Sequence, residues 1–275
     1  MNRAYRTPVV VFSALALLAG CGDSLLGDSD DELIRDSVGD GGYAGVTTMW
    51  DADDVGAALE ISALGVRSFG RNYKSADTNY DISRTNSSAE AEVRRSGVGE
   101  FVVQRMDNSS FTRPISNDAG GRQLELARSE SGGWAVEQLT VFSGQSADGE
   151  TDIEWARVSW GDNEVLFDDL DQMYATDVLS FLPGQEVVVT VRANHPNVIG
   201  VIHQLEGDVR PASSKLLAQS DNDEYEFSNV YMAPQESGRY FTYVDLFDEA
   251  VLDEDSLAPD PYSAAAWGMP YVVQR

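Results

Sequence analysis

The pattern of apolar and polar residues divides the chain into an apolar start, a polar segment and a long series of short β-strands. Residues 9–18 are almost continuously apolar, whereas residues 22–42 are rich in Gly, Asp and Ser with no sustained period. From residue 89 onwards, apolar and polar residues alternate in short runs, as in strands that bury one face. The pattern predicts a mainly β protein.

One helix is predicted, directly after Trp50. Asp51 can cap its start, Val55 and Leu59 lie on one stripe, and Gly65 can end it. Everything that follows in the chain has the pattern of strands and turns. This order of elements, one helix and then an antiparallel meander, indicates an α+β roll.

The predicted N-terminal domain covers residues 43–170. Within it, Ser96-Gly97-Val98-Gly99 predicts a turn that joins strands Ala89–Val93 and Glu100–Met106 in a hairpin. Further strands are predicted at Trp134–Phe142, Ile153–Trp160 and Glu164–Phe167.

The predicted second domain covers residues 171–275, and Glu186–Asn194 is its clearest strand because valines occupy every second position. Glu236-Ser237-Gly238-Arg239-Tyr240 then opens the strand Phe241–Phe247, with a tyrosine two positions after a glycine. This step resembles the tyrosine corner of immunoglobulin-like β-sandwiches. The resemblance implies a sandwich in which the Tyr240 hydroxyl bonds to nearby backbone. It covers the architecture only, because the paired cysteines of antibody domains are missing from the sequence.

The first 20 residues have the layout of a secretory signal peptide, with Arg3 and Arg6 before the apolar run and small residues after it. The run is shorter than the roughly 20 apolar residues of a membrane-spanning helix. Its ending, Leu18-Ala19-Gly20-Cys21, resembles the lipobox of bacterial lipoproteins. The resemblance implies that the thiol of Cys21, the only cysteine, carries a diacylglycerol and that Cys21 becomes the N-terminus. Two or more acyl chains such as palmitate would hold the protein stably at a membrane.

The resemblance also implies a location outside the cytoplasm, in the bacterial cell envelope, and at the outer rather than the inner membrane of a Gram-negative cell. Residues 21–42 are predicted to be an acidic flexible tether. A flexible segment of about 21 residues has an r.m.s. span of roughly 25 Å. That length would hold the folded part clear of the lipid headgroups.

The charge balance is strongly acidic, with 46 Asp and Glu against 19 Lys and Arg and a net charge of −27. Such a surface repels phosphate backbones and anionic headgroups. The composition therefore argues against nucleic-acid binding and against electrostatic binding to membranes. Contact with the membrane is expected only through the lipid on Cys21.

Two acidic segments are candidate contacts for a partner or a cation, one after Phe247 and one before Tyr225. Calcium is the cation that their oxygen ligands would favour, but neither has the full spacing of a calcium loop. The alternative for the first segment is a solvated loop pinned by a buried tryptophan. The candidate residues are Asp253, Asp255, Asp260, Tyr262 and Trp267 in the first segment and Asp221 and Asp223 in the second.

Enzyme motifs are scarce in the sequence. His195 and His203 do not have the spacing of zinc ligands, and Gly144-Gln145-Ser146-Ala147-Asp148 departs from a nucleophile elbow at its last position. No glycine-rich loop leads from a strand into a helix, so no nucleotide cofactor is expected. Carboxylate pairs of the glycosidase type stay open, because 46 acidic residues allow many pairs.

Two functions from different classes follow from the sequence. The first is a lipid-anchored, non-enzymatic binding or assembly module that contacts a protein or glycan partner through its β-sandwich and acidic loop. The second is an envelope hydrolase with a carboxylate-based site and a glycan substrate. A pocket with two carboxylates, one of them kept from solvent, would favour the hydrolase.

Overall fold

A computed structural model of the chain describes residues 29–40, 43, 64–130, 132–147, 149–206, 210–256 and 262–275. The signal peptide, Cys21 and the predicted helix after Trp50 lie outside these residues, so lipidation stays a prediction. Within the described ranges, no helix combines the length and the apolar character that crossing a membrane requires.

The described part is mainly β and contains one α-helix, which confirms the predicted fold class. Apart from the parallel pair β9–β16, neighbouring strands run antiparallel. A 3₁₀ turn, Glu249–Leu252, follows β15. The elements are α1 Ser29–Asp40, β1 Val66–Arg84, β2 Ser88–Arg105, β3 Ser110–Arg128, β4 Trp134–Leu139, β5 Phe142–Ser146, β6 Ile153–Trp160, β7 Asn163–Phe167, β8 Tyr174–Ala175, β9 Ser180–Phe181, β10 Glu186–Ala193, β11 Val198–Glu206, β12 Arg210–Leu216, β13 Ala218–Gln219, β14 Glu226–Met232, β15 Gly238–Asp248 and β16 Ala264–Val273.

Two sheets pack face to face in a sandwich-like arrangement. The larger has the order β1-β2-β3-β5-β16-β15-β11-β12, with β4, β8 and β9 attached, and the smaller has the order β13-β14-β10-β6-β7. The main core lies between them and contains Val189 of β10, Val158 of β6 and Leu246 of β15, each fully buried. Trp267 of β16 packs on Phe167 of β7, with 5.3 Å between ring centroids. The alternation in the sequence predicts that Val187, Val189 and Val191 face inward, and the full burial of all three confirms this.

Both sheets combine strands from the two predicted domains. In the small sheet β6 pairs with β10, and in the large sheet β5 pairs with β16. The predicted boundary after residue 170 therefore passes through both sheets. Local patterns in the sequence do not show which distant strands will pair, and this pairing joins the two halves.

The turn predicted at Ser96-Gly97-Val98-Gly99 is wrong, because β2 continues through this segment. The register with β1 shifts there, between Tyr73 and Ser75, and the register with β3 shifts between Gly97 and Gly99. A Cβ atom on Gly99 would lie 2.1 Å from the carbonyl oxygen of Asn72, so only glycine fits. The glycines permit a bulge and a close approach of two backbones instead of a reversal.

The bulge lets the two halves of the long strands β1, β2 and β3 pack on different cores. Ala91 and Val93 of β2 belong to the main core. Phe101 and Val103 of the same strand belong to a second core, together with Phe247 of β15. The ribbon formed by β1, β2 and β3 therefore packs against both faces of β15 and of the strands beside it.

The tether prediction is wrong for Ser29–Asp40, which forms α1. Ile34 and Val38 lie four residues apart on one face and are fully buried in the main core. Asp30 near the start of the helix is an ion-pair partner of Arg84, at 3.5 Å. The apolar stripe of α1 consists of only two residues. Because the surrounding residues are mostly Asp, Glu and Gly, the sequence shows no clear helical period.

Two strand boundaries also differ from the prediction. The predicted strand Trp134–Phe142 is two strands, β4 and β5, which pair with different parts of β3. The sequence pattern predicts a final strand only at Pro270–Val273, whereas the strand β16 starts at Ala264. Nearly all residues of β16 are buried, on both faces of a central strand, so its sequence is continuously apolar and shows no alternation.

Candidate binding site

A cluster of buried charged and polar side chains lies where β1 and β3 approach β11 and β15. The four strands that contribute to it are separated in the sequence, so the cluster forms only in the folded chain. Its members, which we call the ionic cluster, are Arg71, Tyr73, Asp118, His203, Asp245 and Tyr262.

Arg71 is the centre of the ionic cluster. Its Nη1 donates to Oδ1 of Asp245 at 2.7 Å, and its Nε donates to the hydroxyl of Tyr262 at 2.8 Å. The same Nε lies 3.0 Å from Oδ2 of Asp118. The guanidinium also stands over the ring of Phe247, 4.7 Å from its centroid. One buried cation thus compensates two carboxylates.

Two tyrosine hydroxyls bond to one carboxylate oxygen of Asp118, whose other oxygen, Oδ1, is buried without a hydrogen-bond partner among the described residues. Tyr73 donates to Oδ2 of Asp118 at 2.5 Å, and Tyr262 donates to the same oxygen at 2.6 Å. Burial raises the pKa of both tyrosines, and the charge of Asp118 adds to this effect. Both hydroxyls therefore stay protonated and act as donors.

The charge states in the ionic cluster follow from its geometry. Burial alone would lower the pKa of Arg71, but Asp245 and its neighbours outweigh burial and raise that pKa. Burial alone would raise the pKa of Asp245, but Arg71 and His203 outweigh it and lower that pKa. Burial lowers the pKa of His203, whose Nε2 lies 3.4 Å from Oδ2 of Asp245. Arg71 and Asp245 are thus charged at neutral pH, and His203 is neutral.

This chemistry suits a rigid support better than acid–base catalysis. A general acid working near neutral pH needs a carboxyl group with a raised pKa, and Asp245 has the opposite shift. His203 and Asp245 are each only 1% exposed, so a substrate does not reach them directly. The ionic cluster fixes β1, β3, β11 and β15 relative to one another.

Two neighbouring depressions lie beside the ionic cluster. A cavity of about 60 Å³ borders Arg71, Tyr73 and Asp118. An open depression of about 580 Å³ crosses β2, β3 and β5, and we call it the groove. The two are adjacent, since Arg95, Ser96, Ala119 and Gly120 line both.

The groove carries more arginines than carboxylates, in contrast to the chain as a whole. Arg94, Arg95 and Arg122 line it, against Glu92 and Asp171. Arg94 binds Glu92 through two hydrogen bonds, of 2.6 and 2.7 Å. The remaining surface of the groove offers hydroxyl and amide groups, from Ser96, Gln123, Thr140 and Ser143.

The aromatic residues of the first acidic segment are part of the folded body. Tyr262 is 3% exposed and belongs to the ionic cluster, and Trp267 is 1% exposed in the main core. Asp253 and Asp255 lie in an exposed turn, where Oδ1 of Asp253 accepts from the backbone N–H of Asp255 at 3.1 Å. Asp260 lies outside the described residues. The buried tryptophan agrees with the alternative of a solvated loop pinned by Trp267.

In the second acidic segment, the carboxylate of Asp223 already pairs with an arginine. Oδ2 of Asp223 accepts from Nη1 of Arg192 at 2.6 Å, and this hydrogen bond lowers the pKa of Asp223. Asp221 is exposed. Among the described residues, no three His, Cys, Asp or Glu side chains are grouped so that they could hold a metal ion. The calcium hypothesis therefore has no geometric support in this part of the chain.

Arg71, Asp118 and Asp245 are not among the site residues that the sequence predicts. One signal was present: Asp245 interrupts the apolar run Phe241–Phe247 and therefore falls in a strand that is otherwise buried. A carboxylate at such a position needs a buried partner. The sequence does not reveal that this partner is Arg71, 174 positions away.

Comparisons with protein-family models, with curated proteins and with solved structures found no match to this chain.

Proposed function

We propose that this protein is a lipid-anchored binding module of the bacterial cell envelope, which holds a protein or glycan partner without converting it. The observation that carries the proposal is the groove of about 580 Å³ beside the ionic cluster. Open concave sites with a few convergent polar groups are the usual form of binding sites. The lipobox-like ending at Cys21 supports the anchor.

The walls of the groove are held in place, and this favours binding. Asp118 of the ionic cluster is adjacent in β3 to Ala119, which lines the groove, and Arg71 holds it to Asp245 of β15. A preorganised wall reduces the entropy lost when a partner binds. Tyr262 also bonds to Asp118, so the acidic segment after Phe247 ends beside the same site.

Capture experiments with a blocked groove test the proposal. The full-length chain, purified in detergent, serves as bait for envelope extracts of its own organism. Gln123→Trp places a bulky side chain in the groove, whereas Glu125→Trp changes an exposed residue of the same strand outside it. We expect the Gln123 variant to lose the captured partner and the Glu125 variant to keep it. Equal capture by both variants would contradict a role of the groove.

A second candidate, the envelope hydrolase, is favoured by one observation. Asp118 lines the small cavity, and Asp245 lies behind Arg71 with 1% exposure, so two carboxylates converge and one is kept from solvent. The lowered pKa of Asp245 weighs against a general acid. Turnover of envelope glycan strands by the wild type, abolished in Asp118→Asn and observed without any retained partner, would replace the binding proposal with the hydrolase.

A further inference from the structure

Helix α1 shortens the chain between Cys21 and the folded body. Ile34 and Val38 dock the helix in the main core, and the helix starts at Ser29. Only residues 22–28 separate Cys21 from Ser29. They lie outside the described residues, but in any conformation they let Cys21 and Ser29 lie at most about 28 Å apart. The r.m.s. span of so short a flexible segment is about 15 Å. A lipid on Cys21 therefore keeps the start of α1 close to the membrane.

The start of α1 lies at one end of the ribbon formed by β1, β2 and β3. Oδ2 of Asp30 is 3.5 Å from Nη1 of Arg84, the last residue of β1. Oδ1 of Asp30 is 3.3 Å from Nη2 of Arg128, the last residue of β3. Residues 85–87 join β1 to β2 at the same end of the ribbon. We call these residues together the α1 end of the molecule.

The first acidic segment lies at the opposite end of the ribbon. A guanidinium nitrogen of Arg113 donates to the carbonyl oxygen of Asp253, and Nε of Arg105 lies 3.7 Å from Oε2 of Glu254. Strand β2 connects the two ends, and its 18 residues extend over about 55 Å at about 3.3 Å per residue. The two ends are therefore farther apart than residues 22–28 can reach.

The two ends also differ in charge. Residues 85–87, in the turn of the α1 end, are exposed and uncharged, with hydroxyl and amide side chains. Anionic headgroups repel carboxylates, and at physiological salt the repulsion acts within about 8 Å of the surface. If the molecule lay on its side, more of its acidic surface would come within this distance than if it stood on the α1 end. The exposed carboxylates of the opposite end are Asp107, Asp253, Glu254 and Asp255.

We infer that the α1 end faces the headgroups of the membrane in which Cys21 is anchored, and that the first acidic segment points away from this membrane. The inference rests on the proposed function, since it requires the lipid anchor. It also limits where a partner can bind. The groove reaches from Glu92 to Ser96 along β2, and Ser96 is about 26 Å along the strand from Ser88. A partner in the groove must therefore come within about 55 Å of Cys21.

Energy transfer to the membrane surface tests this orientation. The lipidated full-length chain is reconstituted in vesicles of phosphatidylethanolamine and phosphatidylglycerol that contain an energy acceptor on a headgroup. Ser87→Cys and Ser110→Cys are matched variants, because both serines are exposed and they lie at opposite ends of the ribbon. Since the lipid blocks the thiol of Cys21, a fluorescent donor attaches only to the introduced cysteine. Mass spectrometry of the intact protein verifies the lipid and the single label.

We expect transfer from the donor at position 87 to exceed transfer from position 110 several-fold, because transfer falls steeply with distance from the membrane. An insertion of about 20 Gly and Ser residues between Asp28 and Ser29 lengthens the r.m.s. span of the tether and is the control. It should lower the transfer from position 87 and reduce the difference, because the body can then move away and turn.

Equal transfer from the two positions, or stronger transfer from position 110, would overturn the inference. A difference that survives the insertion unchanged would also contradict it, because the short tether would then not be its cause. These results are distinguishable from a failure of the proposed function. An unmodified Cys21 and a protein that does not stay with the vesicles would remove the anchor, and the orientation with it. A lipidated protein with equal transfer would remove the orientation alone and leave the anchor and the groove.

Discussion

Arg71 stabilises two carboxylates that would otherwise be buried without a counter-charge. We therefore expect Arg71→Met to lower the free energy of unfolding by about 3–5 kcal/mol, because removal of one partner of a buried ion pair leaves the other charge without compensation. Urea denaturation of the variant and the wild type measures this difference. The control is Lys74→Met, because the side chain of Lys74 is 64% exposed and its ammonium pairs with Glu100 at 2.7 Å. Such a surface pair contributes about 1 kcal/mol or less, and equal losses in the two variants would contradict the role of Arg71.

His203 gives the stability a pH dependence whose sign follows from its lowered pKa. The unfolded chain binds a proton at His203 near its usual pKa of about 6.5, whereas the folded chain does so only at lower pH. The contribution is therefore fully present above about pH 6.5 and is lost as the pH falls towards the folded pKa. We expect stability to fall less steeply over this window in His203→Gln than in the wild type. Urea denaturation at a series of pH values checks this, and identical slopes would refute it.

Single residues were predictable where their role is local. The Tyr240 hydroxyl donates to the carbonyl oxygen of Glu236 at 3.0 Å, as the tyrosine-corner resemblance predicted. Asp245 and Arg122 were not predictable in the same way, because their roles depend on distant strands. The sequence shows a charge in an apolar run, but only the fold shows that Asp245 has a counter-charge while Arg122 has none among the described residues.

Elements were predictable from the sequence where one face of the strand is more buried than the other. β10 and β6 satisfy this condition, and both were found at the predicted positions. β16 shows no such difference, because it is buried on both faces. The middle of β2 was predicted as a turn, because the glycines that permit its bulge are also typical of turns. Helix α1 was missed since two buried residues in an acidic segment give little periodicity.

Helix α1 can be tested by two neighbouring residues that differ in burial. Ile34 is fully buried, whereas Leu33 is 44% exposed. We expect Ile34→Ala to lower the free energy of unfolding by about 2–4 kcal/mol, and Leu33→Ala to change it by less than about 0.5 kcal/mol. Chemical denaturation of both variants measures the difference. A flexible tether would make both substitutions neutral, and that result would contradict the docked helix.

At the scale of the whole molecule, the two sheets and the groove depend on strands from both halves of the chain. The groove is lined from β2, β3 and β5, and β5 is held against β16 from the other half. If the chain were divided at residue 170, β5 would lose its neighbour β16, and each half would lose part of the shared core. The lipid anchor proposed at Cys21 therefore serves a folded body that functions as a unit.

This dependence predicts how the chain unfolds. In a fragment of residues 171–275, β10 would lose its neighbour β6 and β16 would lose its neighbour β5. We expect this fragment not to fold, because an uncovered apolar face and an unpaired edge favour aggregation over a native state. The full-length chain should unfold in one cooperative transition.

Circular dichroism and tryptophan fluorescence, recorded during the same urea titration, measure this cooperativity. Their midpoints should coincide for the full-length chain, since its five tryptophans lie on both sides of residue 170. A protease site inserted between Leu170 and Asp171 provides the control, because Asp171 is exposed in a turn. After cleavage there, the two pieces should stay associated and keep the native spectrum, as the paired strands still hold them. Two separate transitions, or a folded fragment of residues 171–275, would show instead that the halves are independent domains and that the groove lies on a boundary between them.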